Sequence, residues 1–186
     1  MPRISDSKIL IISDNGFEQS ELFTPLEDLK AKGATVHVAT PDGNAVKGWD
    51  QNDWGKSVEA DLKISDVTIE DYDCLVIPGG QINPDLLRVN EDALKVVKGF
   101  VSHDKIVAAI CHGPWLFAET GVAKGREMTS YHSIKTDLIN AGAKWVDQEI
   151  AISNGIITSR SPEDLPAFVA KIVEEVEEGE HQRPAA

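Results

Sequence analysis

The fold is decided by the stretch Lys105-Ile106-Val107-Ala108-Ala109-Ile110-Cys111-His112-Gly113-Pro114-Trp115-Leu116-Phe117-Ala118. Its first half is apolar enough for a strand that is buried on both faces, and its second half has the spacing of an amphipathic helix. Cys111 lies at the junction, with a small residue two positions before it and a glycine two positions after it, as in a nucleophile elbow. Pro114 fits the first turn of a helix, where its missing N–H costs nothing. The stretch therefore predicts a sharp strand-to-helix turn at Cys111.

The two cysteines have different surroundings in the sequence. A thiol at the start of a helix feels unpaired N–H groups and the positive end of the dipole, which favour the thiolate, so we interpret Cys111 as a nucleophile. Cys74 lies inside an apolar strand with no base beside it, which is typical of a cysteine that acts as a small core residue. The residues alone leave this second interpretation open for Cys111 too.

Outward from the elbow, strand and helix patterns alternate along the chain. Strands are predicted at 8–13, 35–40, 73–77, 105–110 and 127–130, and helices at 18–32, 84–102, 133–140 and 162–178. Asn154-Gly155 is a strong hairpin signal between strands at 146–153 and 156–159, and the Gly- and Asn-rich segment 41–61 indicates a loop or small hairpin. This alternation predicts an α/β protein whose ligands bind at the carboxyl ends of the strands, where Cys111 lies.

Length and composition limit the classes of function. With 186 residues, 41% hydrophobic, the chain is expected to form a single domain over residues 1–186. A net charge of −13 argues against a nucleic-acid partner, and no apolar run reaches the roughly 20 residues that cross a bilayer. No signal segment is evident at the N-terminus, so we expect a cytoplasmic protein. No ligand set has the spacing of a zinc site, and neither a metal nor another cofactor is predicted.

Three neighbours in the sequence could assist the thiol. His112 follows it directly and would serve as the base, although a structural histidine is the alternative. Pro78-Gly79-Gly80 would bring backbone N–H groups close to a reacting atom, or it is simply a turn. Glu18 would donate a hydrogen bond to the thiolate if burial raised its pKa, or it merely stabilises the first turn of a helix.

Several motifs together resemble the ThiJ/PfpI superfamily, and most closely its branch of PfpI-type intracellular cysteine proteases and general stress proteins. They are Phe17-Glu18, Pro78-Gly79-Gly80, Ala109-Ile110-Cys111-His112-Gly113-Pro114, Thr129-Ser130-Tyr131 and Thr158-Ser159-Arg160. The resemblance implies a flavodoxin-like three-layer α/β sandwich with a mainly parallel central sheet, of the class I glutamine amidotransferase-like type. It also implies a homodimer or a higher homo-oligomer such as a hexamer.

The resemblance also implies roles for individual residues. The nucleophile falls on Cys111, the imidazole on His112 and the protonated glutamate beside the thiolate on Glu18. A further carboxylate that reaches the histidine from a neighbouring subunit falls on Asp85, where Glu is common in PfpI-type proteins. The oxyanion hole falls on the backbone N–H groups of Gly80 and His112.

Three aromatic residues are expected to line the pocket. Tyr131 belongs to the Thr-Ser-Tyr motif. Trp115 stands where a glutamine is usual, and it would narrow the pocket. His132 stands where proline often follows Ser-Tyr, and either a place beside Tyr131 or a role at the surface or at a helix start fits it.

The sequence supports two hypotheses of different classes. The first is a cytoplasmic, stress-protective cysteine hydrolase that acts on peptides or on small reactive carbonyls, such as methylglyoxal, as a glyoxalase III or protein deglycase. The second is a non-catalytic redox sensor or chaperone-like stress protein, in which Cys111 is oxidised. A glutamine amidotransferase is disfavoured because it would need a His-x-Glu segment far downstream, and none occurs.

Overall fold

The computed structural model describes residues 2–179 and 181, and these residues form an α/β sandwich. Its strands are β1 (Lys8–Ile12), β2 (Phe17–Glu18), β3 (Thr35–Thr40), β4 (Val46–Asp50), β5 (Asp53–Val58), β6 (Leu62–Lys63), β7 (Cys74–Ile77), β8 (Ile106–Ile110), β9 (Glu127–Met128), β10 (Lys144–Trp145), β11 (Ala151–Ser153) and β12 (Ile156–Ser159). Its α-helices are α1 (Gln19–Ala31), α2 (Ile82–Leu87), α3 (Glu91–Ser102), α4 (Trp115–Thr120), α5 (Lys135–Asn140) and α6 (Leu165–Glu178). The outermost ends of the predicted domain lie outside the described residues.

The central sheet has seven strands in the order β11-β12-β8-β7-β1-β3-β6. All its neighbours are parallel except β11 and β12, which form the antiparallel hairpin predicted at Asn154-Gly155. Both turn residues have positive φ, +50° and +77°, which suits the right-handed twist of the two strands. The α/β class and the mainly parallel sheet are thereby confirmed.

Helices cover both faces of the sheet because the strands are apolar on both sides. In β8, Ala108 and Ile110 pack with α1 and α6, whereas Val107 and Ala109 pack with α3, α4 and α5. A fully buried side chain such as Phe168 or Phe100 stabilises the fold by about 2–3 kcal/mol. The result is the three-layer arrangement that the sequence analysis expected.

One predicted helix was wrong in its bounds. The segment 84–102 forms two helices, α2 and α3, instead of one. Asn90 separates them because its side chain accepts a hydrogen bond from the backbone N–H of Ala93, 3.0 Å away, and so caps α3. This break leaves α2 as a short, separate helix near the elbow.

A small second sheet lies beside the first βα connection. The strands β4 and β5 form a hairpin within 41–61, and β2 pairs with β4 in parallel. Trp49 and Trp54 are cross-strand partners, with ring centroids 5.4 Å apart. The longest helix of the described residues is α6, with 14 residues, and no described helix is long and apolar enough to span a bilayer.

Candidate active site

Cys111 occupies a strained position at the carboxyl end of β8. Its φ is +63°, in the left-handed region that non-glycine residues avoid at a cost of about 1–3 kcal/mol. Two backbone hydrogen bonds hold the turn: the Cys111 N–H donates to the Ser159 carbonyl (3.0 Å), and the Tyr131 N–H donates to the Cys111 carbonyl (2.8 Å). This strained turn places the thiol just beyond the carboxyl end of β8, as the nucleophile-elbow motif predicts.

The thiol is 7% exposed and is surrounded by hydrogen-bonding groups. Its Sγ is 3.2 Å from Nδ1 of His112, and the backbone N–H groups of Gly80 and His112 donate to the sulfur. Burial raises the pKa of Cys111, and Glu21 raises it further whenever that carboxyl is ionised, while the two N–H groups lower it. The expected lowering by a helix dipole is not found, because α4 begins only at Trp115 and desolvation dominates. The resting group is therefore a thiol.

Glu21 is the carboxyl group that lies against the thiol. Its side chain is fully buried, and Oε2 accepts a hydrogen bond from the backbone N–H of Gly79 at 2.8 Å. Burial, followed by the charge of Glu18, raises the pKa of Glu21 to about 8, so the carboxyl keeps its proton at neutral pH. A Cβ at Gly79 would lie 2.4 Å from Glu21 Oε2 and 2.6 Å from Cys111 Cβ. Only glycine at position 79 lets the two groups approach.

The position of Glu18 corrects the sequence-based assignment. Glu18 ends β2, immediately before α1, and its Oε1 accepts a hydrogen bond from Ser20 Oγ at 3.2 Å. Its carboxyl is half-buried and lines an open surface pocket with Asp50 and Lys56, and the place beside the sulfur belongs to Glu21. Glu21 stands one and two turns before the buried Pro25 and Leu29. That i, i+4, i+8 spacing places Glu21 on the buried face of α1, and it is the signal in the sequence that distinguishes Glu21 from Glu18.

His112 is held between two aromatic rings and is only 4% exposed. Tyr131 stacks on it with ring centroids 5.0 Å apart, and Trp115 meets it edge-on at 5.1 Å. Burial and the nearby charge of His132 lower the pKa of His112 to about 4. The imidazole is therefore neutral at pH 7, and its Nε2 lies 3.2 Å from Ser133 Oγ, a contact with no signal in the sequence.

Comparison with known proteins identifies the family. The profile of the DJ-1/PfpI family matches residues 7–175. The chain belongs to the DJ-1/PfpI family. It is 39% identical over 166 residues to Deglycase PfpI of Pyrococcus furiosus, covering 89% of this chain and 97% of that protein. It is also 39% identical over 163 residues to General stress protein 18 of Bacillus subtilis, with 87% and 92% covered.

A solved structure supports the same conclusion for the fold. A two-domain protein from Anabaena variabilis, with DJ-1/ThiJ/PfpI-like and ferritin-like domains, matches with a TM-score of 0.87 and 31% identity. The match covers 92% of this chain and 48% of that chain, so this chain spans about half of the two-domain protein. The resemblance to the PfpI branch and the flavodoxin-like fold are confirmed.

The three residues predicted for the pocket gather around the imidazole of this DJ-1/PfpI protein. Tyr131 lies between His112 and His132. The ring centroids of Tyr131 and His132 are 4.4 Å apart. Trp115 is held from both sides, because its Nε1 donates to Asp137 Oδ2 at 2.9 Å and the Arg88 guanidinium lies 5.2 Å from its ring. These two contacts hold the indole of Trp115 in place beside the His112 ring.

Asp85 lies apart from this group within one copy of the chain. It is exposed in the first turn of α2, while the hydrogen bonds of the His112 ring go to Cys111 and Ser133. Val89, just after α2, is 78% exposed, and Ile82 and Leu86 are also exposed. The role of Asp85 across a subunit boundary stays a prediction.

Among the described residues, a group that could hold a metal ion lies away from the thiol. Ligand atoms of Glu175, Glu178 and His181 are all within 4.8 Å of one another. His181 donates its backbone N–H to the Asp104 carbonyl, which places the group near the start of β8, whereas Cys111 follows its end. Glu175 lies 2.8 Å from His181 and 3.8 Å from Lys171, so a lysine already pairs with the carboxylate at the centre of this group.

Proposed function

We propose that this protein is a stress-protective cysteine hydrolase that acts on small reactive carbonyls, methylglyoxal and its adducts with amines, through Cys111. The observation that carries the proposal is a buried thiol with three kinds of assistance: a neutral imidazole 3.2 Å away, two backbone N–H donors and the protonated Glu21. The names of the relatives, a deglycase and a general stress protein, support it. We also propose a cytoplasmic location.

The first step is addition of sulfur to the substrate carbonyl. Sγ bonds to the aldehyde carbon, the π electrons move to oxygen, and the S–H proton passes to His112 Nδ1. Transfer from a thiol of raised pKa to an imidazole of pKa about 4 is uphill, so it accompanies C–S bond formation instead of preceding it. The N–H groups of Gly80 and His112 then donate to the developing oxyanion, and the imidazolium returns the proton to give a hemithioacetal.

The second step converts the hemithioacetal into a thioester. For methylglyoxal, the C–H proton of the carbon bonded to sulfur moves to the neighbouring carbonyl carbon, and the hydroxyl proton of the hemithioacetal moves to the oxygen of that carbonyl, with His112 as the carrier. Water then cleaves the thioester, which releases lactate and restores the Cys111 thiol. The balance is methylglyoxal plus water to lactate and a proton, and an amine adduct releases its amine as well.

The size of the site favours small substrates over polypeptides. Cys111 is buried, and the fixed indole of Trp115 and the ring of Tyr131 enclose the imidazole beside it. A peptide carbonyl would have to bring its flanking residues past these rings. A methyl ketoaldehyde has no such flanking groups.

The test compares wild type with Cys111→Ala, using Cys74→Ala as a matched control, since Cys74 is fully buried in β7. Lactate formed from methylglyoxal, amine released from methylglyoxal-treated N-acetyl-lysine and cleavage of a fluorogenic peptide are measured. We expect the first two activities to be lost in Cys111→Ala only. Equal rates in Cys111→Ala and wild type would contradict catalysis, and activity on the peptide alone would indicate a peptidase.

A redox sensor is the second candidate, favoured by the proton of Glu21 beside the sulfur. A protonated carboxyl would donate a hydrogen bond to a sulfinate oxygen on Cys111, which would stabilise that oxidised form. Mild peroxide followed by mass spectrometry should then find oxidised Cys111 and unmodified Cys74. Oxidation of both cysteines at equal rates would argue against a sensor.

We propose further that the protein forms a homodimer or a larger assembly such as a hexamer. The exposed apolar residues Ile82, Leu86 and Val89 lie beside Asp85, which suits a contact between copies that brings Asp85 near a neighbouring site. Light scattering coupled to size exclusion measures the mass. We expect Leu86→Glu to lower it, and an unchanged mass would place the interface elsewhere.

A further inference from the structure

The far side of the imidazole is occupied by a hydroxyl group of the same chain. Nδ1 of His112 faces the sulfur of Cys111 at 3.2 Å, and Nε2 faces Ser133 Oγ at 3.2 Å. The ring thus bridges the thiol and the hydroxyl. We infer that Ser133 is the residue that positions His112 for the proposed reaction. Asp85 is then not needed to orient the imidazole, and its place is in the contact between subunits.

The turn that carries Ser133 is built to hold the hydroxyl in place. Ser133 is the middle residue of the 3₁₀ turn His132–Ile134, whose last side chain is buried in the core. The residue before the turn, Tyr131, donates its backbone N–H to the Cys111 carbonyl at 2.8 Å and stacks on His112. One short segment is therefore tied to the elbow, to the imidazole ring and to the core.

A hydroxyl suits this position because it can both donate and accept a hydrogen bond. When Nδ1 accepts the thiol proton, the imidazolium presents an N–H at Nε2, and Ser133 accepts it. When the imidazole is neutral, the hydroxyl pairs with either tautomer. A carboxylate could only accept, and its charge would raise the pKa of His112, which is lowered to about 4 here.

The charged groups around the imidazole are few. His132 lies beyond Tyr131 on the same turn, and Glu21 lies behind the thiol on α1. Arg88 and Asp137 reach the site only through the indole of Trp115. Among the described residues, Ser133 hydrogen-bonds to Nε2 and none of these charged groups does, so the loss of its hydroxyl should directly change the orientation and tautomer of the ring.

The experiment uses Ser133→Ala, Ser133→Thr and Ser133→Asp, with Ser102→Ala as control, because Ser102 is exposed and bonds its own helix carbonyl at Gly99. Nitrogen chemical shifts of the His112 ring give its tautomer and pKa. The rate of Cys111 alkylation by iodoacetamide and the kcat and KM for methylglyoxal are measured against pH.

We expect Ser133→Ala to change the tautomer balance and to lower kcat about tenfold with KM within twofold, the loss of one hydrogen bond. Ser133→Thr keeps the hydroxyl, so its tautomer balance and its kcat should stay close to those of wild type. Ser133→Asp should raise the pKa of His112 by at least one pH unit. An unchanged tautomer and kcat in Ser133→Ala would overturn the inference. So would a change produced by Asp85→Asn and not by Ser133→Ala.

These outcomes are separable from the proposed function, on which the inference rests. The nitrogen shifts and the alkylation rates need no substrate. Inactive wild-type protein would refute the carbonyl hydrolase, while the ring tautomer would still decide the role of Ser133.

Discussion

Replacing Glu21 by Gln should remove a large pH dependence from the free energy of unfolding. The pKa of Glu21 is raised from 4.5 to about 8 in the folded protein, so the folded state binds its proton more tightly than the unfolded chain does. This contribution to stability is complete below pH 4.5 and is lost as the pH rises towards 8. Glutamine has the same shape, can still accept from Gly79 N–H and does not titrate.

The magnitude follows from the pKa difference of about 3.5. At about 1.4 kcal/mol for each pH unit, the full contribution is about 5 kcal/mol, of which about 3–4 kcal/mol is lost between pH 5 and pH 8. Cys111 adds nothing in this range, because its raised pKa keeps it a thiol. Wild type should therefore lose about 3–4 kcal/mol more than Glu21→Gln does over this interval.

Urea unfolding at pH 5, 6, 7 and 8, at one fixed protein concentration, measures the difference. Glu18→Gln is the matched control, since Glu18 is only half-buried and its replacement should change the pH slope much less. If the curves of wild type and Glu21→Gln ran parallel within 1 kcal/mol, Glu21 would not hold its proton in the folded state. The placement of that proton beside the sulfur would then be wrong.

Three further predictions concern the elbow and its supports. In native protein iodoacetamide should modify Cys111, which is 7% exposed and lies 3.2 Å from Nδ1 of His112, and spare Cys74, which is fully buried in β7; mass spectrometry that found both modified would contradict this. Gly80→Ala should lower Tm by about 5 °C or more in calorimetry, because φ is +83° and the new Cβ would lie 2.4 Å from a backbone carbonyl oxygen. Asp164→Ala should cost about 2–3 kcal/mol in urea unfolding, since this buried carboxylate accepts from the backbone and guanidinium of Arg160; a loss under 0.5 kcal/mol would refute it.

Much of the fold and part of the site could be predicted from short-range patterns. The apolar run before Cys111 predicts β8, the glycine and proline after it predict the turn, and Asn154-Gly155 predicts the β11–β12 hairpin. Each of these features depends on residues within a few positions of one another, where backbone sterics and hydrophobic periodicity decide. The contact between Cys111 and its neighbour His112 is also local in this sense.

The remainder depends on contacts between distant segments. Glu18 and Glu21 both stand near the start of α1, and only the packing of that helix turns Glu21 towards a sulfur 90 residues further along the chain. Ser133 likewise reaches His112 from another turn. The sequence determined the sandwich and the elbow that carries Cys111, because local chemistry specifies them. The tertiary structure alone decided the protonation of the site, because burial and distance set pKa values and neither can be read along a chain.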